Sequence, residues 1–310
     1  NPTDAPRLRW ESNSRLTGGT TGKCNFPIAG PMSLYRDQYD YLNLVLATGG
    51  IHWANSDSTT PQRMIVLRRN SERLHVKRGK QDSWLTFHPQ KPPGPSIDEF
   101  GFLISLDEIR MPPGGGSASY PTEETEIVTY VYRGALAQED STGSSGVVHA
   151  GEFQRMNISC GIRHKETNAS RSDWAHIFRI ALRPREVGLV RAQEQQRFGA
   201  AQRHNELCVV ASPDGRKGSL RISQDVLIYS AVVDAGHHLI HELQPGRDAW
   251  LHLIYGEATL QDIVMTQGDG GGLTTERSVS LTAQEHAELL LVDVGPAPRS
   301  FASDTPGRTP

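Results

Sequence analysis

The residues with the clearest potential for chemistry are a histidine and a glutamate spaced two apart, His164 and Glu166. Alternate residues of a β-strand point to the same face, so on a strand both side chains would enter one interior. An imidazole and a carboxylate are common ligands of an iron-type metal, which also keeps open positions for substrate or oxygen. These two donors alone would bind such a metal weakly.

Two segments of the chain closely resemble the first cupin domain of the pirin family. One begins with Tyr-Pro-Thr at 120–122 and continues into the apolar run 126–136, and the other covers 161–168. In that family the first segment opens with His-Pro-His and the second carries His-x-Glu. The resemblance implies that four side chains at these positions hold one iron-type metal, and that half of them are changed here.

The resemblance implies ligand positions at Tyr120, Thr122, His164 and Glu166, of which only the last two retain the family residues. A phenolate at Tyr120 is costly because the reference pKa of tyrosine is about 10. A threonine hydroxyl is a poor ligand for iron or zinc, and two remaining donors would bind a transition metal weakly. We therefore expect no metal cofactor. Iron or another divalent metal is expected only if the site has been rearranged.

A rearranged site would need a donor from nearby, and His149 and His176 are the candidates, although neither stands at a family ligand position. The simpler interpretation is a solvated His149 and a hydrogen-bonded strand residue at His176. The family usually has glutamine and tryptophan where Arg179 and Ala181 stand. A cation at Arg179, near the former metal position, would disfavour Fe²⁺. His149, His176 and Arg179 are thus the predicted pocket residues.

The densest group of histidines lies in the second half of the chain, at His237, His238 and His241. On a strand His237 and His241 would share one face and His238 the other. The second half of the family is normally metal-free, so these are predicted to be surface histidines.

Composition limits the classes of protein to which the chain can belong. Its 310 residues are 36% hydrophobic and 22% charged, with a net charge of −3, which gives no nucleic-acid footprint. No apolar run approaches the roughly 18–20 residues of a membrane helix. Three separated cysteines predict a reducing intracellular compartment. The chain starts at Asn1, which leaves open both trimming and removal of an organellar targeting peptide.

Short strands separated by glycine- and proline-rich turns predict an all-β fold. The two halves share one layout, and the resemblance implies a duplicated jelly roll, or bicupin. Expected strands include 64–67, 100–106 and 226–233, and the charged, glutamine-rich stretch 184–206 is expected to link the halves. The predicted divisions are an N-terminal arm at 1–62, a first cupin domain at 63–190, a second cupin domain at 191–295, and a tail at 296–310.

The N-terminal arm is too polar to form a core and too aromatic for a typical disordered tail. It is expected to pack partly along its own cupin domains and partly on another protein chain, through aromatic side chains, which dominate interface energetics. The alternative is that the whole arm folds back on the bicupin and has no partner. These partner-binding residues are Trp10, Tyr35, Tyr39, Tyr41 and Trp53.

Three functions remain open from the sequence. The first is a non-enzymatic bicupin that serves as a binding or structural subunit of a larger assembly, with no catalytic residues. The second, implied by the family, is a quercetinase-type dioxygenase with a divergent site. The third is a metal-free binder of small molecules that uses the former metal cavity.

Overall fold

The computed structural model describes residues 64–88, 99–117, 120–121, 124–158, 162–186, 188 and 192–296. This part of the chain is almost entirely β-strand, with one short α-helix, α1 (Ala200–Arg203), and two 3-10 turns at Asn70–Glu72 and Arg216–Gly218. No helix within it is long and apolar enough to cross a membrane.

The strands before α1 supply most of a first barrel. They are β1 (Met64–Arg68), β2 (Leu74–Arg78), β3 (Gln81–Leu85), β4 (Leu103–Met111), β5 (Tyr120–Pro121), β6 (Thr125–Arg133), β7 (Ala135–Asp140), β8 (Ser145–His149), β9 (Glu152–Ile158), β10 (Arg163–Asn168), β11 (Ala175–Leu182) and β12 (Gln193–Arg197).

The strands after α1 supply most of a second barrel. They are β13 (Cys208–Ser212), β14 (Leu220–Arg221), β15 (Val226–Val233), β16 (His238–Glu242), β17 (Asp248–Tyr255), β18 (Glu257–Leu260), β19 (Ile263–Thr266), β20 (Gly270–Thr274), β21 (Ser278–Ala283) and β22 (Ala287–Val294).

Each barrel consists of a seven-stranded sheet that packs on a four-stranded sheet. In the first barrel the strand orders are β12-β9-β6-β11-β4-β3-β2 and β5-β10-β7-β8. In the second they are β1-β20-β17-β22-β15-β13-β14 and β16-β21-β18-β19. The all-β fold with two jelly-roll cupin domains, expected from the sequence, is confirmed.

The two large sheets pack face to face, so their strands are buried on both sides. On β11, Ile177 packs inside the first barrel, whereas Phe178 and Ile180 join the core between the two domains. Trp250 of the second domain is fully buried in that same core. This double burial explains why these strands are apolar on both faces, with no simple alternation of apolar and polar residues.

Two strands cross between the domains. β1 pairs with β20 of the second barrel, with Val66 opposite Gly272, and β12 pairs with β9 of the first barrel, with Gln195 opposite Gln154. The predicted link at 184–206 thus contains a strand and α1, so it is more than a linker. Each large sheet is completed by a strand from the other half of the chain, β1 in the second barrel and β12 in the first. The domain boundary between residues 190 and 191 remains a prediction.

The strand expected at 100–106 begins later than predicted. Residues 100–103 form a turn, in which Phe100 and Leu103 bridge each other, and regular pairing starts at Leu103. Gly101 has a φ of +59°, and a Cβ there would lie 2.8 Å from Cγ1 of Val294. Glycine is therefore needed both for the positive φ and for the close approach of the second domain.

Candidate functional site

A row of four polar residues crosses the large sheet of the first barrel. Gln154 of β9 is paired with Thr129 of β6, Thr129 with Arg179 of β11, and Arg179 with Asp107 of β4. Their strand neighbours Tyr130 and Phe178 pack in the core between the domains, so the row itself faces the barrel interior. All four residues are buried.

The small sheet contributes three more polar side chains from the opposite wall. His164 and Glu166 lie two residues apart on β10, and Gln138 of β7 is paired with Glu166. These three side chains are buried, and the backbone of Tyr120 is paired with His164 on the other side. His164 and Glu166 therefore enter one interior, as their spacing predicted.

Glu166 is held by three side chains. Arg179 Nη2 forms an ion pair with one carboxylate oxygen, Oε2. His164 Nε2 donates to the other oxygen at 3.3 Å, and Gln138 Nε2 donates to it at 3.5 Å. Both oxygens of the carboxylate are thus already engaged by protein donors.

The pKa of Glu166 reflects this enclosure. Burial opposes ionisation of the carboxyl, but the attraction of Arg179 and the hydrogen bonds from His164 and Gln138 outweigh it. The pKa falls from 4.5 to about 2. Glu166 is therefore ionised in the folded protein at neutral pH, and it forms an ion pair with Arg179.

The depressed pKa predicts a pH dependence of stability. The carboxylate stabilises the fold above its unfolded pKa of 4.5, and that contribution is lost as the pH falls towards the folded pKa of about 2. As the pH falls from 4.5 to about 2, the unfolding free energy of wild type should decrease by about 3 kcal/mol more than that of Glu166→Gln, which has no carboxyl to protonate. Urea titrations at several pH values would measure this, with the exposed Glu285→Gln as a matched control. Parallel pH profiles for wild type and Glu166→Gln would contradict the assignment.

The second barrel shows that the fold does not require this polar interior. Each barrel has a turn at an equivalent glycine. A Cβ at Gly134 would approach Ala175 in the first barrel, and a Cβ at Gly256 would approach Ala287 in the second. Starting from these glycines and alanines, we matched residues of the two barrels by their positions along the paired strands. Each polar residue of the first barrel then has a counterpart in the second. Thr129, Gln138, His164, Glu166 and Arg179 correspond to Leu251, Leu260, Val279, Leu281 and Leu291.

The described donor set does not fit an iron-type metal. Among the residues that the structure describes, no three histidine, cysteine, aspartate or glutamate side chains form a group that could hold an ion. A divalent ion about 4 Å from the Arg179 guanidinium would be repelled by about 8 kcal/mol at an effective dielectric constant near 20. The counter-ion of the Glu166 carboxylate in this structure is the guanidinium of Arg179.

A small cleft lies beside His164 and Gln138. Its free volume of about 10 Å³ is that of roughly one water molecule, and it is lined by Gln138, Met156 and His164, by Gln193 of the crossing strand β12, and by the β7–β8 hairpin. His164 and Gln138 themselves stay buried beside it.

The other predicted histidines lie elsewhere. His149 is exposed at the end of β8, and its backbone N–H donates to Glu152 Oε2 at 2.8 Å. His176 donates from Nε2 to Glu108 at 2.9 Å, on the side of the sheet that faces away from Arg179. Of the three predicted pocket residues, Arg179 is therefore the one that contacts the His164–Glu166 pair.

His241 corrects the prediction that the histidine group lies on the surface. It is largely buried and donates to Asp293 Oδ2 at 2.8 Å. It is also paired with Val279, as Tyr120 is with His164, so it occupies the position in the second barrel that corresponds to Tyr120. His238 is exposed, as expected.

Several predicted residues lie outside the described residues. They are Thr122 and the aromatic residues of the arm, Trp10, Tyr35, Tyr39, Tyr41 and Trp53. For Tyr120 only the backbone pairing can be described.

Sequence reasoning missed Gln138, Gln154, Thr129 and Asp107 as parts of the interior. Each lies at an inward position of a strand whose neighbouring inward residues are mostly apolar, such as Leu136 before Gln138. A polar residue in such a position was the available signal, but it became informative only once the face of each strand was known.

Two packed jelly-roll barrels define a bicupin. Residues 82–181 match the family model described as Pirin, and residues 209–294 match the one described as Quercetinase C-terminal cupin domain. The chain belongs to the pirin family, as the resemblance of its motifs predicted.

Similar proteins cover the whole bicupin. The quercetin 2,3-dioxygenase of Escherichia coli (strain K12) is 34% identical over 233 residues, which are 75% of this chain and all of the relative. The crystal structure of YhhW from Escherichia coli superimposes with a TM-score of 0.70 at 34% identity, covering 75% of this chain and 98% of that one. A structure of the bacterial pirin YhhW in complex with nickel(II) gives a TM-score of 0.69 at 33% identity, over 75% and 100% of the chains.

Proposed function

We propose that this chain is a pirin-family bicupin that has lost metal-dependent catalysis and acts as a binding subunit of a larger protein assembly. The observation that carries the proposal is the ion pair between Arg179 and Glu166 inside the first barrel. The carboxylate that the family resemblance assigns to the metal is instead neutralised by a side chain of the protein.

The loss of catalysis follows from what a metal supplies. A bound metal acts as a Lewis acid and orients substrate and oxygen. A guanidinium can donate hydrogen bonds and balance charge, but it has no vacant coordination position and does not change redox state. His164 and Glu166 are thereby left as members of a hydrogen-bonded polar cluster.

The role in an assembly is supported by the N-terminal arm. Its large aromatic residues can each bury about 150–250 Å², and such side chains are favoured at interfaces. We expect the arm to dock on another protein chain through Trp10, Tyr35, Tyr39, Tyr41 and Trp53. A truncated protein without residues 1–62 should stay folded but leave the native assembly on gel filtration. Unfolding of the truncated bicupin, or an unchanged assembly, would refute the docking role.

A second function is favoured by the names of the relatives. Several carry quercetin 2,3-dioxygenase in their names, and one solved relative is a nickel complex. A divergent dioxygenase would need donors other than the described set, or would need Arg179 to withdraw from Glu166.

Oxygen consumption with quercetin separates the two functions. The protein would be incubated with iron(II), nickel(II) or copper(II), and with no metal as the baseline, beside the His164→Ala variant. We expect turnover at the background rate with every metal, because Arg179 neutralises the Glu166 carboxylate and its guanidinium repels a dication. Metal-dependent turnover that disappears in His164→Ala would refute the loss of catalysis and establish the dioxygenase.

A further inference from the structure

We infer that the interface between the two barrels is an acid-triggered joint, which stays closed while the ring of His252 is neutral and opens when that ring takes up a proton. The inference goes beyond the proposed function and does not depend on it, because His252 lies between the barrels and not inside the first one. It assigns a conformational role to a buried histidine outside the candidate site.

His252 is part of the contact between the two large sheets. It lies on β17 between Trp250 and Ile254, which both belong to the core shared by the two domains, whereas the alternate residues of the strand pack inside the second barrel. Its ring centroid is 5.7 Å from that of Phe178 on β11 of the first domain. The residue is fully buried, so solvent reaches the ring only when this contact opens.

The surroundings of the ring suit only its neutral form. Neither Nδ1 nor Nε2 has a hydrogen-bond partner among the described residues. A neutral imidazole leaves one donor and one acceptor unpaired there, whereas a protonated ring would leave two donors and a full charge. Burial and the nearby cation of Arg73 lower the pKa of His252 from 6.5 to about 3, and Glu108 opposes this shift only in part.

The carboxylate that acts on His252 is already engaged by other donors. Oε2 of Glu108 accepts a hydrogen bond from Arg73 Nη1 at 2.8 Å. Its Oε1 accepts hydrogen bonds from Arg110 Nη2 at 2.7 Å and from His176 Nε2 at 2.9 Å. The side chain of Arg73 is itself fully buried. A proton on His252 would thus add a positive charge beside a buried cation and beside a carboxylate whose two oxygens are both occupied.

A further cation lies on the same face of the second sheet. Arg68 of β1 is paired with Gly270, and Gly270 is paired in turn with His252, so the three residues share one face. Asp269, the neighbour of Gly270 in the chain, already accepts hydrogen bonds from Arg69 and from two backbone N–H groups. A protonated ring would therefore meet another buried cation on its own sheet.

The contact can open without unfolding either barrel. The apolar core between the domains is separate from the core inside the first barrel, around Ile177, and from the core inside the second, around Leu291. β1 and β12 would keep the barrels tethered, because each is hydrogen-bonded into one barrel and continues along the chain into the other. Once the contact is open, water surrounds the ring of His252 and its pKa returns to about 6.5.

The direction of the pH effect follows from the lowered pKa. The closed interface has its full stability above pH 6.5, and this stability falls as the pH drops from 6.5 towards 3, because the open form takes up a proton that the closed form does not. The ratio of open to closed molecules should rise about tenfold per pH unit well inside this range, which gives about 25-fold between pH 7 and pH 5.

Thiol labelling of the full-length protein with dithiodipyridine tests this, with peptide mass spectrometry to identify the labelled site. Val292→Cys places a thiol in the core between the domains, and Leu291→Cys, its neighbour on β22, places one inside the second barrel. Relative to a free thiol at the same pH, Val292→Cys should label about 25-fold faster at pH 5 than at pH 7, and Leu291→Cys should change little. This comparison needs no change at His252. An absent rise at Val292→Cys, or an equal rise at both sites, which indicates global unfolding, would overturn the inference.

Replacing His252 by leucine assigns the effect to this ring. In the Val292→Cys protein, His252→Leu should reduce the 25-fold rise to less than about threefold, because the open form gains no proton at that position. His238→Leu, which removes an exposed histidine of the same domain, should leave the rise unchanged. A rise that persists in His252→Leu would belong to another group, such as His176, and a rise that is lost in His238→Leu would belong to the surface. Either result would also overturn the inference.

Discussion

Replacing Arg179 by leucine is expected to lower the free energy of unfolding by about 3–5 kcal/mol, because it leaves the carboxylate of Glu166 buried without its counter-ion. The measurement is chemical denaturation at neutral pH. Arg197→Leu is the matched control, since Arg197 makes a longer contact of 3.6 Å with Glu152 and is 58% exposed. It should cost less than about 1 kcal/mol.

The double variant Glu166→Leu with Arg179→Leu should recover most of that loss. The corresponding residues of the second barrel, Leu281 and Leu291, are already leucines in a packed apolar core. Replacing a buried ion pair by packed hydrophobic residues is often neutral or stabilising. A double-mutant cycle would then show a coupling energy of several kcal/mol. Additive effects of the two single changes would mean that no ion pair forms.

Restoring the metal site is expected to require the removal of Arg179. The pair Tyr120→His and Thr122→His supplies the two imidazoles that the family resemblance assigns to those positions. With Arg179 still present, we expect this pair of changes to leave the protein without stoichiometric metal, because Glu166 stays neutralised and the guanidinium repels a dication. Adding Arg179→Gln, the usual family residue, should raise metal content to about one equivalent.

The matched control keeps the positive charge at position 179. With Arg179→Lys in place of Arg179→Gln, the triple variant should remain metal-free. Stoichiometric metal in the double variant, with Arg179 unchanged, would show that the arginine does not block the site.

The sequence predicted the parts of the fold and site that depend on local pattern and motif. His164 and Glu166 share one interior because alternate strand residues share a face. The pirin-like motifs at 120–122 and 161–168 identified the family, and the shared layout of the two halves indicated the duplication. Arg179 was recognised as a cation near the former metal position for the same reason.

Features that depend on pairing distant in sequence were not predictable. β1 and β12 cross to the opposite domain, and nothing in their own residues specifies that partner. The contact of Arg179 with Glu166 depends on two sheets packing across the barrel. Gln154 has no motif, and its place in the buried polar row follows only from the pairing of β9 with β6. His241 was misjudged because a histidine on a half-buried strand can face either way.

The metal content of the purified wild-type protein tests the central claim most directly. The protein would be produced in medium that contains iron, nickel, copper and zinc, dialysed, and analysed by elemental mass spectrometry beside Glu166→Gln and His241→Ala. The ion pair of Glu166 with Arg179 predicts less than about a tenth of an equivalent of any metal, with no difference between wild type and Glu166→Gln. About one equivalent of metal in wild type and in His241→Ala, lost in Glu166→Gln, would contradict it.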